Sequence, residues 1–229
     1  MGKRIVVFTG AGISAESGLK TFRGDDGLWE GYRVEDVATP EAWARDPELV
    51  QEFYNIRRRA VLEAEPNDAH NALVRLEACY AVDIITQNID DLHERAGSAR
   101  VHHLHGLITR SQSSVDPGLT YPIQGDEIRM GAVCEHGSQL RPHVVWFGEP
   151  VPAMTQAIRL CRQADVFIVV GTSLQVYPAA GLLYEVPREA LKFVVDPHAS
   201  ALVKETGITC IDGKASEAIP ALVDQLCAS

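Results

Sequence analysis

The chain has 229 residues, 46% hydrophobic and 23% charged, enough for one large domain with a well-buried core or a large and a small one. Its formal net charge of −10 argues against nucleic acid as the main partner, since phosphate binding needs a basic face and Arg57–Arg59 is only a local spot. No apolar run approaches the length of a membrane span, no signal peptide is apparent, and five scattered cysteines suit a reducing, cytoplasmic setting better than a disulfide framework.

Ile5 to Phe8 reads as a buried, β-branched strand, broken by Gly10 and Gly12, and Ser14 to Leu19 reads as the start of a helix. A strand, a glycine turn and a helix N-terminus make a phosphate cradle: glycine lets the backbone come close, and the first helix amides point at the anion. Gly10-Ala-Gly-Ile-Ser-Ala15 matches the relaxed dinucleotide pattern, with Ala15 in the third small position. An ordinary dinucleotide fold would then enter a second strand ending in an acidic residue. Lys20 to Trp29 is instead loop-like, and the next convincing strand is Ala81 to Thr86, so an insertion intervenes.

That insertion reads as helical over 40–64, opened by Pro40, with Trp43, Leu49, Val50, Phe53, Ile56 and Ala60 near helical spacing and a break at Asp46-Pro47. Asn67-Asp68 caps a second helix through Leu73, Leu76 and Cys79. Tyr54 and Arg57 are three apart and share a helix face. A phenol beside a guanidinium suits a terminal carboxylate, which Arg grips with two parallel hydrogen bonds. Spacing alone favours the plainer reading, a core tyrosine and a solvated basic face over 57–59.

The strand at Ala81 ends in Thr86-Gln-Asn-Ile-Asp-Asp-Leu-His-Glu-Arg95, polar groups at the strand end where α/β folds bind ligands. A turn and helix cap explains each of these residues taken singly. Val101 to Gly106, as a strand, puts Val101, His103 and His105 on one face. Two such imidazoles without nearby Cys or acidic ligands make a poor metal site, whereas an imidazole beside a cofactor cleft is a natural general base at neutral pH. Residues 109–140 are polar and strand-poor, suggesting a small loop-rich module. Val144 to Glu149 reads as a strand end, Ala153 to Gln163 as a helix, and Val166 to Val170 as a buried strand running into Gly171-Thr-Ser173. Phe193 to Val195 is the last expected core strand, and Asp196-Pro197 offers either a carboxylate for ribose hydroxyls or simply a turn.

GAGISAESGLKTFRG (Gly10 to Gly24), TQNIDDLHERAG (Thr86 to Gly97), HLHG (His103 to Gly106), VVWFGE (Val144 to Glu149) and GTSLQVYPAAG (Gly171 to Gly181) together resemble the sirtuins, NAD-dependent protein-lysine deacylases. The matches run in order over nearly the whole chain. The resemblance implies an α/β fold. A Rossmann-like parallel sheet with helices on both faces would take 1–34, 80–108 and 144–229; a smaller domain would join a helical module (35–79) to the loop-rich module (109–143). NAD and an acyl-lysine protein or peptide would meet in the cleft between them.

The same resemblance implies residue roles. Gly10, Ala11, Gly12, Ser14, Glu16 and Ser17 would hold the diphosphate and ribose, and Thr21, Phe22 and Arg23, with Trp29, would form a flexible cofactor loop. Gln87, Asn88, Ile89 and Asp90 would line the ribose and nicotinamide pocket; Gly171, Thr172, Ser173 and Asp196 would take the adenosine half. His105 would be the general base, with Asn88 and Asp90 completing the catalytic set. Strands carrying Val145, Trp146, Phe147, Gly148 and Glu149 on one side and Val176 on the other would sandwich the substrate peptide by β-addition.

Tyr-x-x-Arg at 54 and 57, with Ala38 leaving room for a longer chain, is similar to the desuccinylase and demalonylase branch, which reverses the plainer reading of that pair. Succinyl- and malonyl-lysine are the expected substrates, with acetyl-lysine also accepted. Most sirtuins carry four zinc cysteines between the catalytic His and the VVWFGE strand; this interval holds only Cys134, near His136, and Arg110 to Ser114 stands where the first pair is expected. Zinc is therefore expected to be absent, since a structural site takes four ligands. Mono-ADP-ribosyl transfer and a non-catalytic NAD- or ADP-ribose-binding module are the alternatives. The intact Asn88, Asp90 and His105 speak against the second, and Tyr54 with Arg57 speaks for acyl-lysine as acceptor.

Overall fold

A computed structural model describes residues 2–21, 29 and 31–228. The first half runs β1 (Arg4–Thr9), α1 (Gly12–Ala15), α2 (Val34–Val37), α3 (Pro40–Arg45), α4 (Pro47–Glu63), α5 (Asp68–Leu76), β2 (Ala81–Thr86), α6 (Leu92–Ala96) and β3 (Val101–His103). Then follow β4 (Gly106–Ser113), β5 (Thr120–Pro122), β6 (Leu140–Val144), α7 (Met154–Cys161), β7 (Val166–Val170) and a 3-10 segment, Ala179–Glu185. The chain closes with β8 (Leu191–Asp196), α8 (Ala199–Leu202), β9 (Ile208–Asp212) and α9 (Ala215–Cys227).

Six strands form a parallel sheet in the order β3-β2-β1-β7-β8-β9. The central strands are apolar on both faces, as a sheet covered on both sides requires. Ile5, Val7, Val166, Ile168 and Val170 pack with α5 and α9 on one face; Val6, Phe8, Phe167 and Val169 pack with α7 and the 3-10 segment on the other. Each such side chain contributes roughly 1.5–3 kcal/mol on burial. The register aligns Thr9 with Thr86 and Val170, and Val170 with Val195. The next residue of each strand, Gly10, Gln87, Gly171 and Asp196, therefore stands in one row along the carboxyl edge.

Side chains of the chain itself mark several boundaries. Thr39 caps α3 by accepting from Ala42 N, and Asp46 caps α4 by accepting from Leu49 N, which is why the helical insertion breaks at Asp46-Pro47. Asn67 and His70 form a reciprocal capping box at the start of α5. This helix, expected within the helical module, packs instead on the large sheet beside α9.

The structure corrects five other expectations. The helix sought over Ser14–Leu19 is the single turn α1, starting at Gly12 and closed by Gly18 at φ +89°, a backbone region suited to glycine. Residues 109–140 are not strand-poor: β4, β5 and β6 form an antiparallel sheet in the order β5-β4-β6. Its central strand carries buried Ser111, Gln112 and Ser113, so polarity concealed it. The segments 145–149 and 171–176 are loops, not strands. The last strand of the sheet is β9, a half-exposed edge strand beyond β8. Finally, Cys79 and Cys227 are disulfide-bonded, Cα to Cα 5.8 Å, across a sequence separation of 148.

The small sheet is clasped by one face of α4. Gln51 Nε2 and Asn55 Nδ2 donate to Ile128 O at 3.0 and 3.1 Å, and Ile128 N donates back to Asn55 Oδ1 at 2.9 Å. Arg58, fully buried, donates from Nε to Ile108 O at 2.7 Å and from Nη1 to Asn55 Oδ1 at 2.6 Å. These positions (51, 55 and 58) share a helix face.

Candidate active site

A cleft of about 370 Å³ opens where the row of strand ends meets α4 and the loop after β6. The turns after β1 and β7 touch. A Cβ on Gly12 would lie 2.6 Å from Gly171 Cα, and one on Gly10 2.7 Å from Thr172 Cβ, so both positions admit only glycine. The amides of Gly10, Gly12, Ile13 and Ser14 donate to Val170 O, Gly171 O, Gly10 O and Ala11 O, so the glycines serve the meeting of two turns.

The polar residues after β2 are held by a relay. Asn88 Nδ2 donates to Ser14 Oγ at 3.1 Å, and Ser14 Oγ donates to Asp90 Oδ2 at 3.1 Å. Asp90 Oδ1 accepts from Leu92 N, the cap that the bland reading foresaw, yet the same carboxyl lines the cleft. Burial raises the Asp90 pKa, against the pull of its Leu92, Ser14 and His103 neighbours. Gln87 Nε2 donates to Thr172 Oγ1 at 3.0 Å, tying the second strand end to the fourth. Asp196 both lines the cleft and accepts from His198 N, so the ligand and turn readings are compatible.

His105 sits over this row. Its Nδ1 lies 3.0 Å from Gln87 O, and a carbonyl only accepts, so Nδ1 carries the proton and Nε2 is left as the basic nitrogen. Burial lowers its pKa, keeping the imidazole neutral at neutral pH.

The far end of the cleft is aromatic. Tyr54 is buried between Trp29 and Trp146, with ring centroids 6.2 and 6.5 Å away, and Arg57 Cζ lies 4.4 Å from the Trp29 ring centroid. Burial pushes the Tyr54 phenol well above its ordinary range, so it stays an O–H donor. Arg141 stacks on Trp146 at 3.8 Å and holds Glu149 at 2.9 Å, while Trp146 N donates to Glu149 at 2.8 Å; together they fix the 145–149 loop.

A model of the Sir2 family matches residues 10–178. The chain belongs to the Sir2 family. A Helicobacter pylori relative named NAD-dependent protein deacylase is 49% identical, over 98% of this chain and 97% of its own. A solved Sir2 homologue in complex with NAD matches with a TM-score of 0.89 at 42% identity, covering 98% of this chain and 90% of that one. A Sir2 solved with a p53 peptide and NAD+ matches with a TM-score of 0.79 at 28% identity, covering 100% of this chain and 95% of the other.

Most positions singled out by Sir2 resemblance converge on the cleft. Gly10, Ala11, Gly12, Ser14, Thr21, Trp29, Gln87, Asn88, Ile89, Asp90, His105, Gly171, Thr172, Ser173 and Asp196 line it, as do Ala38, Tyr54, Arg57, Val145 to Glu149 and Val176. Two do not. The Glu16 carboxylate accepts from Ser216 N and Oγ at 2.9 and 2.6 Å, and Ser17 Oγ accepts from Asn67 Nδ2 at 2.9 Å; both anchor neighbouring helices. Phe22 and Arg23 lie outside the described residues. The sequence reading missed Leu19, Lys20, Val61, Val144, Val151, Tyr177 and Pro178, which also line the cleft. Val61 was within reach, since 54, 57 and 61 share one helical stripe.

The donors of a Sir2 zinc module do not fit here. Cys134 Sγ is engaged with Ser113 Oγ at 3.3 Å, and among the described residues no three His, Cys, Asp or Glu are grouped to hold an ion.

Proposed function

We propose that this Sir2 chain is an NAD-dependent protein-lysine deacylase preferring succinyl and malonyl groups, with acetyl-lysine also accepted. The observation that carries the reading is one cleft holding a neutral imidazole with an exposed basic nitrogen near one end and a tyrosine–arginine pair at the other. The glycine-lined strand ends fit a dinucleotide: Gly10 to Gly12 would face the diphosphate, and Gly171, Thr172, Ser173 and Asp196 the adenosine half. Bound NAD would supply an activated ribose that takes the acyl group as nicotinamide leaves, with water completing the transfer to free lysine and O-acyl-ADP-ribose. Asn88 and Asp90, fixed by Ser14, orient the carboxamide side. His105 Nε2 accepts a proton from a ribose hydroxyl; such positioned proton transfer is worth on the order of a hundred- to ten-thousandfold in rate.

Arg57 and Tyr54 would grip the acyl carboxylate, the guanidinium edge-on and the phenol as donor. Hydrogen bonds to charged groups are worth roughly 1.5–3 kcal/mol net, enough for about one to two powers of ten in preference. Ala38 gives the longer chain room, and the loops at 145–149 and 176 would pair with substrate backbone. We further infer that the small module folds without zinc, held by the α4 clasp, and that the enzyme acts in the cytoplasm; no described helix is long and apolar enough to cross a membrane.

The test mixes protein, NAD and succinyl-, malonyl- or acetyl-lysine peptide, following nicotinamide release and peptide mass. Faster loss of the acidic groups is expected, and His105→Tyr should abolish turnover in a folded protein. ADP-ribose appearing on protein while acyl-lysine stays intact would overturn the reading.

A further inference from the structure

A second histidine stands behind the nicotinamide-side segment, on the same β3 turn as His105. His103 Nδ1 lies 2.9 Å from Asn88 O, and its Nε2 lies 2.7 Å from Glu94 Oε1. Both partners are acceptors. Either neutral tautomer would set a bare ring nitrogen against an oxygen lone pair at hydrogen-bond distance, whereas the imidazolium donates to both.

We propose that His103 is a positioning residue, a doubly protonated imidazolium that locks the Asn88 carbonyl while Glu94 holds its charge.

The surroundings fit that state. Asp90 and Asp91, from the segment after β2, and Glu94, from α6, are the carboxylates that act on His103; the imidazoles that face it, His93 and His143, both have lowered pKa values and stay neutral. Burial alone would lower the His103 pKa, but the Glu94 carboxylate, the Asn88 carbonyl and Asp90 outweigh it, and the net direction is upward. His105 makes the opposite arrangement from a similar place. One carbonyl partner, Gln87 O, leaves it neutral and basic. Two imidazoles two residues apart thus grip consecutive carbonyls, Gln87 O and Asn88 O, one as base and one as fixed cation.

The consequence for turnover rests on the proposed function, because it requires that Asn88 and Asp90 serve the nicotinamide side. Locking the Asn88 carbonyl adds a third hold on a residue whose N–H donates to Thr86 Oγ1 at 3.0 Å and whose side chain donates to Ser14 Oγ. Loss of the His103 charge frees that segment and weakens the Asp90 environment together.

The direct test is independent of activity. Nitrogen-15 spectra of the wild-type side chains, with His103 assigned by His103→Asn, should show both ring nitrogens protonated at pH 7, above the ordinary histidine pKa of about 6.5. One deprotonated nitrogen at that pH would overturn the proposal. The kinetic test compares Glu94→Gln with wild type from pH 6 to 8.5. A neutral amide still accepts but no longer holds the charge, so kcat/KM for NAD should fall away from wild type as the pH rises through the ordinary histidine pKa of about 6.5, by roughly tenfold where the gap is widest; Glu94→Asp should restore most of the loss. A Glu94→Gln curve displaced equally at every pH would assign His103 a merely structural role and overturn the proposal. Loss of the succinyl preference at unchanged pH dependence would instead count against the acyl reading alone.

Discussion

Arg57 and Arg58 are neighbours on α4, turned roughly 100° apart around the helix, and they meet opposite surroundings. Arg58 is wholly buried, and its Nε and Nη1 donate to fixed acceptors, Ile108 O and Asn55 Oδ1. Burial drops its pKa to about 10, so it remains charged at neutral pH. Arg57 faces the cleft with its guanidinium plane on Trp29. Stacking uses the face of the guanidinium, whereas the in-plane edge is what grips a carboxylate. Partners, not residue type, separate an arginine locked into the fold from one proposed to recognise a ligand.

That contrast can be broken in order of expected effect. Arg58→Met should cost roughly 3 kcal/mol, because it strips Ile108 O of its side-chain donor, at about 1–3 kcal/mol, and Asn55 Oδ1 of one of its two donors. Urea unfolding would measure it, and a loss under 1 kcal/mol would remove the clasp from the account of the small module. Next comes acid. Burial lowers the His70 pKa to about 4 and holds that of His93 well below its ordinary value. The unfolded chain binds these protons near pH 6.5, so stability is full above that pH and declines as the pH falls toward 4. His70 alone accounts for roughly 3 kcal/mol of that loss. His70→Gln should flatten the urea-midpoint profile across this window, and an unaltered slope would assign the loss elsewhere.

Arg57→Met should leave the unfolding midpoint nearly unchanged yet lower the ratio of desuccinylation to deacetylation by about ten- to a hundredfold. Equal losses on both peptides would count against a carboxylate clamp. The smallest expected effect is none: dialysis against a strong chelator should alter neither melting temperature nor turnover. Stoichiometric zinc that resists such treatment would show that something other than the α4 clasp holds the small sheet.

The large sheet was legible because its strands are short β-branched runs ended by glycine or polar residues, a signal carried within a few positions. The small sheet was not, since Ser111 to Ser113 look like loop residues until their neighbours on β5 and β6 are known. Most cleft residues were found through motif resemblance, yet the same resemblance misplaced Glu16, whose partner Ser216 lies 200 positions away. The Cys79–Cys227 bond was hidden for the same reason: pairing is a property of the folded chain, and an odd count of scattered thiols argues the other way. His103 was noticed as sharing a face with His105, but its charge state follows only from Glu94 and Asn88 meeting it from two sides.

The closing helix α9 is fastened at both ends, to Glu16 beside the first glycine turn through Ser216 and to Cys79 through Cys227, with Tyr80 donating to Leu226 O near the latter. Between these points Ile219, Leu222, Val223 and Leu226 roof one side of the parallel sheet. A premature stop codon shortly after β9 would therefore not yield a trimmed but working enzyme. It would bare a greasy flank and unpin the turn at the head of the chain, giving an insoluble product rather than a smaller one.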